Sequence, residues 1–204
     1  GPTSGDGDGD ASSSGDGDAE SGDGDGDGDG PLPDFMQMGP HSVSSTAGSM
    51  TTANGCDLMY EVHTPDTLRT DTRVYMAHGF QRTIADQAAM AQHAASFGME
   101  VVTVSLCTNG FVGVDHARNG EAIAQLAQSL GGGARVHSGF SAGGLAAFVA
   151  ASQDSAATGF MGLDAVDNGS VGSDAAAGFN LPILAAIAEP GQCNTNNNFL
   201  PVYA

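Results

Sequence analysis

From residue 57 onward the chain alternates between short apolar runs and longer segments of helical period. No other feature limits the fold as strongly. "DLMYEVHTP" (57–65) alternates as a strand does and stops at Pro65, and "TRVYMAHGF" (72–80) is a buried-strand run ending in a His-Gly turn. "TIADQAAMAQHAASFG" (83–98) reads as a helix, with Ile84, Ala88, Met90, Ala91 and Ala95 on one face and Gly98 as its stop. "MEVVTVSL" (99–106) is a strand, "DHARNGEAIAQLAQSLGG" (115–132) a helix, "ARVHSGF" (134–140) a strand and "SAGGLAAFVAAS" (141–152) a helix. Two further strands, "TGFMGLDAVD" (158–167) and "LPILAAIAE" (181–189), complete the series. Strands that read apolar throughout and are separated by helices predict a parallel sheet covered on both faces, an α/β fold. Sites in such sheets lie at the carboxyl ends of the strands. That rule gathers Gly79-Phe80, Ser141, Asp164 or Asp167, and Glu189 on one edge.

Residues 1–34 are of another kind. They hold ten Asp, one Glu and no basic residue, largely as alternating Asp-Gly. Such a segment buries too little apolar surface to offset its ordering entropy, so a disordered, self-repelling acidic linker is expected there. It suits tethering to an envelope or a neighbouring module. Calcium binding by its carboxylates is the competing reading. It lacks the regular large apolar residue of a β-roll and the Glu that closes an EF-hand loop. The remainder, residues 35–204, is the size of one domain and carries a net charge of −8. It has no Lys and five scattered Arg, too few and too dispersed for a phosphate-tracking surface. No apolar run reaches the length of a membrane span. The sequence opens on Gly without a leader pattern, as expected of a processed or excised chain. Cys56, Cys107 and Cys193 lack zinc-type spacing; one disulfide with a free thiol, or a partner elsewhere, fits them equally.

Ser141 stands in "GFSAGG", between a strand and a helix. A tight strand–serine–helix turn needs glycine on both sides because a Cβ there would meet the neighbouring strand or helix. The helix N-terminus then offers amides and dipole to a developing negative charge. In this context the chain resembles the α/β-hydrolase family, nearest to its chlorophyllase-like, platelet-activating-factor-acetylhydrolase-like and polyester-hydrolase-like serine esterases. The resemblance covers roughly residues 57–204. It implies a three-layer α/β-hydrolase sandwich with a mostly parallel sheet, lacking the final strand and helix after "EPGQCNTNNNFLPVYA". "AHGF" looks like the oxyanion loop, with the Phe80 amide as one donor and the Ala142 amide as the other. "GLDAVD" looks like the acid-bearing strand end, where Asp164 ranks first, Asp167 second and the more distant Glu189 third. The activity implied is hydrolysis of a small-molecule or polymeric carboxylic ester, with no metal and no organic cofactor, by an exported or envelope-associated bacterial protein.

The base is the difficulty. In this family the histidine follows the acid. Here His41, His63, His78, His93, His116 and His137 all precede Ser141. His78 belongs to the oxyanion turn, His137 reads as a core histidine, and His116 follows Asp115 at a helix start, where it caps or solvates that residue. The catalytic histidine is therefore expected after Ala204, and the 204-residue chain is expected to be nearly inactive and poorly folded, with 181–188 an uncovered apolar edge. A non-catalytic α/β-hydrolase-like binding or display domain is the alternative.

Overall fold

The computed structural model describes residues 34–204, so the linker expected over 1–34, and with it the calcium reading, lies outside the described residues save for Asp34. Seven strands form one sheet: β1 (Val43–Thr51), β2 (Asp57–Pro65), β3 (Arg73–Ala77), β4 (Glu100–Val104), β5 (Arg135–Phe140), β6 (Ala157–Leu163) and β7 (Ile183–Ala186), in the order β1-β2-β4-β3-β5-β6-β7. β1 and β2 are antiparallel, as are β2 and β4; every pairing from β4 to β7 is parallel. Among the described residues four α-helices accompany it: α1 (Ala88–Ala95), α2 (His116–Leu130), α3 (Ala142–Gln153) and α4 (Val171–Ala176).

The period-two alternation of the central strands explains the layers. Val74, Met76 and Val101 face α1 through Ala91 and Ala95. Tyr75, Ala77, Val102 and Val104 face the other way, onto α2 and α3. The result is a three-layer sandwich, and α3, with ten of its twelve residues buried, is the helix at its centre. A second cluster around Phe148, Phe160 and Phe199 joins α3 and β6 to the C-terminal loops. Cys56 and Cys107 form a disulfide and Cys193 is free and exposed. The bridge ties the start of β2 to the segment after β4, across a separation of 51 residues.

The structure departs from the expected elements in several places, among them the unforeseen α4 and the shortening of the strand expected over 181–189 to Ile183–Ala186. β1 is an added strand: "VSSTAGSMT" is too rich in Ser, Thr and Gly to signal one, and it forms by pairing along the whole of β2. The helix expected over 83–98 is a 3₁₀ turn at Ile84–Gln87 followed by α1. The strand expected over 158–167 stops at Leu163 because Asp164 turns to a φ of 48°. β7 is the last strand of the described sheet, and its Leu184 remains two-thirds exposed. No helix among the described residues is long and apolar enough to cross a membrane.

Candidate active site

At the carboxyl end of β5 the chain must leave the sheet and enter α3 within one residue. Ser141 makes that turn at φ 52° and ψ −120°, a conformation that costs a non-glycine residue on the order of 1–3 kcal/mol. The flanking glycines are steric necessities. A Cβ on Gly139 would run into the Gly143 carbonyl, and one on Gly143 into the His78 carbonyl. The turn is clamped through its backbone. The Ser141 amide donates to the Leu163 carbonyl at 3.0 Å, and its own carbonyl accepts from Gly144 and Leu145 at 2.9 and 3.3 Å. Its hydroxyl caps none of the α3 amides, which leaves the side chain free.

A cavity of about 610 Å³ opens over this turn. Phe80, Phe111, Val114 and Val166 supply its apolar wall; Ser141, His116, Asp167, Asn168, Thr195 and Asn198 supply its polar groups. Phe80 and Phe111 meet edge to face at 5.6 Å. The structure thus brings Ser141, Ala142, Phe80 and Asp167 to one place, all four being lining residues. No protein acceptor takes the Phe80 or Ala142 amide among the described residues. His78 holds the Phe80 loop from beneath. Its Nδ1 donates to the Gly79 carbonyl at 2.8 Å and its Nε2 accepts from the Leu106 amide at 3.2 Å, which fixes one neutral tautomer. Burial keeps its pKa below the ordinary value, against the Gly79 carbonyl and the Asp86 charge.

The two candidate acids have different surroundings. Asp164 lies in a separate narrow cleft with Phe199 and Tyr203, where its Oδ1 accepts from the Ala188 amide and the Asn194 side chain, both at 3.1 Å. Burial, with the Asp164 charge adding, pushes the Tyr203 hydroxyl up to about 12. Asp167 stands on the wall of the Ser141 cavity, but its Oδ1 already accepts from the Asn168 and Gly172 amides at 2.8 Å. Its backbone exchanges two hydrogen bonds with Asn198. Glu189 is exposed in the loop after β7 and touches neither site.

Of the histidines, His63 and His137 are core residues: His63 meets Ser45 at 2.8 Å and His137 meets Asp154 at 2.9 Å. His41 pairs with Asp66 at 3.0 Å, and His93 meets the Phe35 carbonyl at 2.9 Å. His116 differs from its reading as a capping residue. Asp115 caps α2 by itself, accepting from the Arg118 amide at 2.9 Å, while His116 is only 8 % exposed and lines the Ser141 cavity. Two reciprocal side-chain pairs hold it there. The Thr108 hydroxyl donates to the Asp115 carbonyl and accepts from its amide, and the Asn119 side chain brackets the Thr108 backbone at 3.0 and 2.9 Å. Sequence reasoning also passed over Asn194 and Asn198, because a run of asparagines reads only as loop. Their role follows from the left-handed turn at Thr195, Asn196 and Asn197. Among the described residues no group of three or more His, Cys, Asp or Glu is placed to hold a metal ion.

The parallel core with its antiparallel β1–β2 edge agrees with the structural comparison. An epoxide hydrolase, CorEH, solved without ligand, superposes with a TM-score of 0.50 at 17 % identity, over 60 % of this chain and 43 % of that one. The chain has an α/β-hydrolase fold. A bacterial membrane phospholipase A superposes at a TM-score of 0.49, also at 17 % identity, over 61 % of this chain and 40 % of that one. The chain thus spans less than half the length of either. No protein-family model and no curated protein matches the sequence.

Proposed function

We propose that this α/β-hydrolase chain carries the nucleophile of a serine carboxylic-ester hydrolase. The observation behind the reading is the Ser141 turn: a non-glycine residue held at φ 52°, at the head of α3, with its hydroxyl free beside a cavity. In the proposed reaction Ser141 Oγ attacks the acyl carbon, an imidazole takes its proton, and the amides of Phe80 and Ala142 hold the tetrahedral oxyanion. The imidazole then returns the proton to the leaving alcohol, and water hydrolyses the acyl-enzyme by the same route.

Asp164 is the acid in this proposal, since it stands at the tip of β6 with a carboxylate that takes two donors among the described residues; Asp167 is its alternative. The imidazole is assigned to a histidine following Ala204, the position that the order serine, acid, histidine requires. The cavity size and its apolar wall suit a small ester or one unit of a polymer. The disulfide favours an oxidising compartment, secreted or at the cell envelope. The test is labelling by a fluorophosphonate and turnover of short p-nitrophenyl esters by the full-length protein. Labelling at Ser141, abolished by Ser141→Ala, is expected; neither labelling nor turnover would sink the reading. In that event a non-catalytic binding domain, which the unpartnered His116 in the same cavity also favours, takes its place.

A further inference from the structure

His116 is the one histidine lining the Ser141 cavity among the described residues, and it is more than nine-tenths buried. Asp115, Thr108 and Asn119 fix its position through the loop after β4, yet neither of its ring nitrogens has a hydrogen-bond partner among the described residues. Nδ1 is sealed from solvent. A sealed, unpaired N–H is less tolerable than a sealed lone pair, so the hydrogen belongs on Nε2. Burial lowers the ring's pKa, against the charges of Asp115 and Asp167, and the neutral form therefore prevails at pH 7. A polar group left without a protein partner in a partly apolar cavity is the kind that orients a ligand.

The charge of the cavity narrows that ligand. Among the described residues Asp167 is the only charged one lining it, and no Lys or Arg is among the lining residues. An anionic substrate would meet a carboxylate and no cation. Phe80 and Phe111 offer an apolar wall to the substrate's hydrocarbon part.

We propose that His116 is a substrate-contacting residue, donating from Nε2 to a second, uncharged oxygen of the ester, so that the cavity prefers uncharged diesters to plain alkyl esters and to anionic esters. This rests on the Ser141 reading for the word substrate but not for the contact itself.

Binding to the full chain carrying Ser141→Ala, which preserves the cavity without turnover, tests the two separately. Ligand-observed NMR with dimethyl succinate, methyl butyrate and monomethyl succinate should rank the diester first, by roughly three- to ten-fold over methyl butyrate, with the anion last. His116→Ala should erase the difference between diester and monoester, and His116→Gln, which keeps a donor, should retain part of it. The His116 ring nitrogens, followed by ¹⁵N NMR in protein unaltered at 116, should move with dimethyl succinate and not with methyl butyrate. Equal binding of the two esters, an equal loss of both in His116→Ala, or a ring that responds alike to both would overturn the proposal. A diester preference that depends on His116, in a protein that a fluorophosphonate never labels at Ser141, would uphold the contact and remove the esterase.

Discussion

The two ends of β5 are built for opposite purposes. Where the strand enters the sheet, Arg135, His137 and Asp154 form a sealed cluster. Arg135 Nη1 donates to Asp154 Oδ1 at 2.6 Å, and His137 Nε2 meets Oδ2 at 2.9 Å. The Ala156 amide adds a third donor at 3.1 Å, and the Tyr75 ring stacks on His137. Burial by itself would raise the Asp154 pKa, but the hydrogen bonds from His137 and Ala156 and the charges of His137 and Arg135 outweigh it and hold the carboxyl below the usual aspartate range. Where the strand leaves the sheet, Ser141 is strained, its hydroxyl is free, and His116 lines the cavity with its Nδ1 unpartnered among the described residues. One strand therefore carries at one end a buried carboxylate answered by three donors, although Arg135 Nε and His137 Nδ1 keep no partner among the described residues. At the other, polar groups stay unsatisfied until a ligand arrives. A buried charge is tolerable only when answered; a reactive group is useful only when it is not.

The largest effect should come from the open end. Ser141→Ala is expected to lower kcat of the full-length protein on p-nitrophenyl esters by about 10⁶ and to leave the melting temperature nearly unchanged. Replacing the acid should cost roughly 10⁴ in kcat. Steady-state kinetics of Asp164→Ala and Asp167→Ala decide which residue that is, and a crippled Asp167 variant beside a mild Asp164 variant would reverse the assignment made above.

At the closed end the readout is stability. Asp154→Ala leaves Arg135 buried without its carboxylate and should cost about 3–5 kcal/mol in urea denaturation. A loss under 1 kcal/mol would mean that the cluster does not hold the fold, and the contrast between the two ends would collapse.

A smaller effect lies in the pH dependence. Burial lowers the folded-state pKa of His63, His78 and His116. The unfolded chain therefore binds more protons than the folded one as pH falls through the ordinary histidine range. Stability should be full above about pH 6.5 and decline below it, through the lower folded-state values. The Asp154 contribution, from a depressed carboxyl, should be lost only at more acid pH, below the usual aspartate range. Urea midpoints from pH 8 to pH 4 check this, and a flat profile down to pH 5 would contradict it. Smallest of all, Ser141→Gly should relieve the positive φ and raise stability by about 1 kcal/mol, visible as a higher melting temperature in a protein that no longer reacts with fluorophosphonate.

Much of the sheet was legible from the chain. The apolar runs from 72 to 140 became β3, β4 and β5 nearly as read, because strands buried on both faces write continuous apolar text that ends where the chain turns. β1 was not legible, since a Ser- and Thr-rich edge strand owes its existence to the ladder offered by β2. The serine turn was legible because its steric requirement is local: Gly139 and Gly143 lie within two residues of Ser141. His116 was not, for the converse reason. Nothing next to it in the chain shows that the segment after β4 folds over the end of β5, pinned by Asn119 and the Cys56–Cys107 bridge.

By itself, then, the sequence determined the α/β class, the strand–serine–helix turn and the acidic character of the chain, all of them consequences of local sterics, hydrophobic period and composition. Tertiary structure alone decided which polar groups share the serine's cavity. It set Asp167 and His116 on the cavity wall and Asp164 in the neighbouring cleft. That partition depends on hydrogen bonds between residues far apart in the chain, such as Asp167 with Asn198 across 31 positions. Loop closure between such distant groups leaves no periodic mark on the sequence, and only packing in three dimensions selects it.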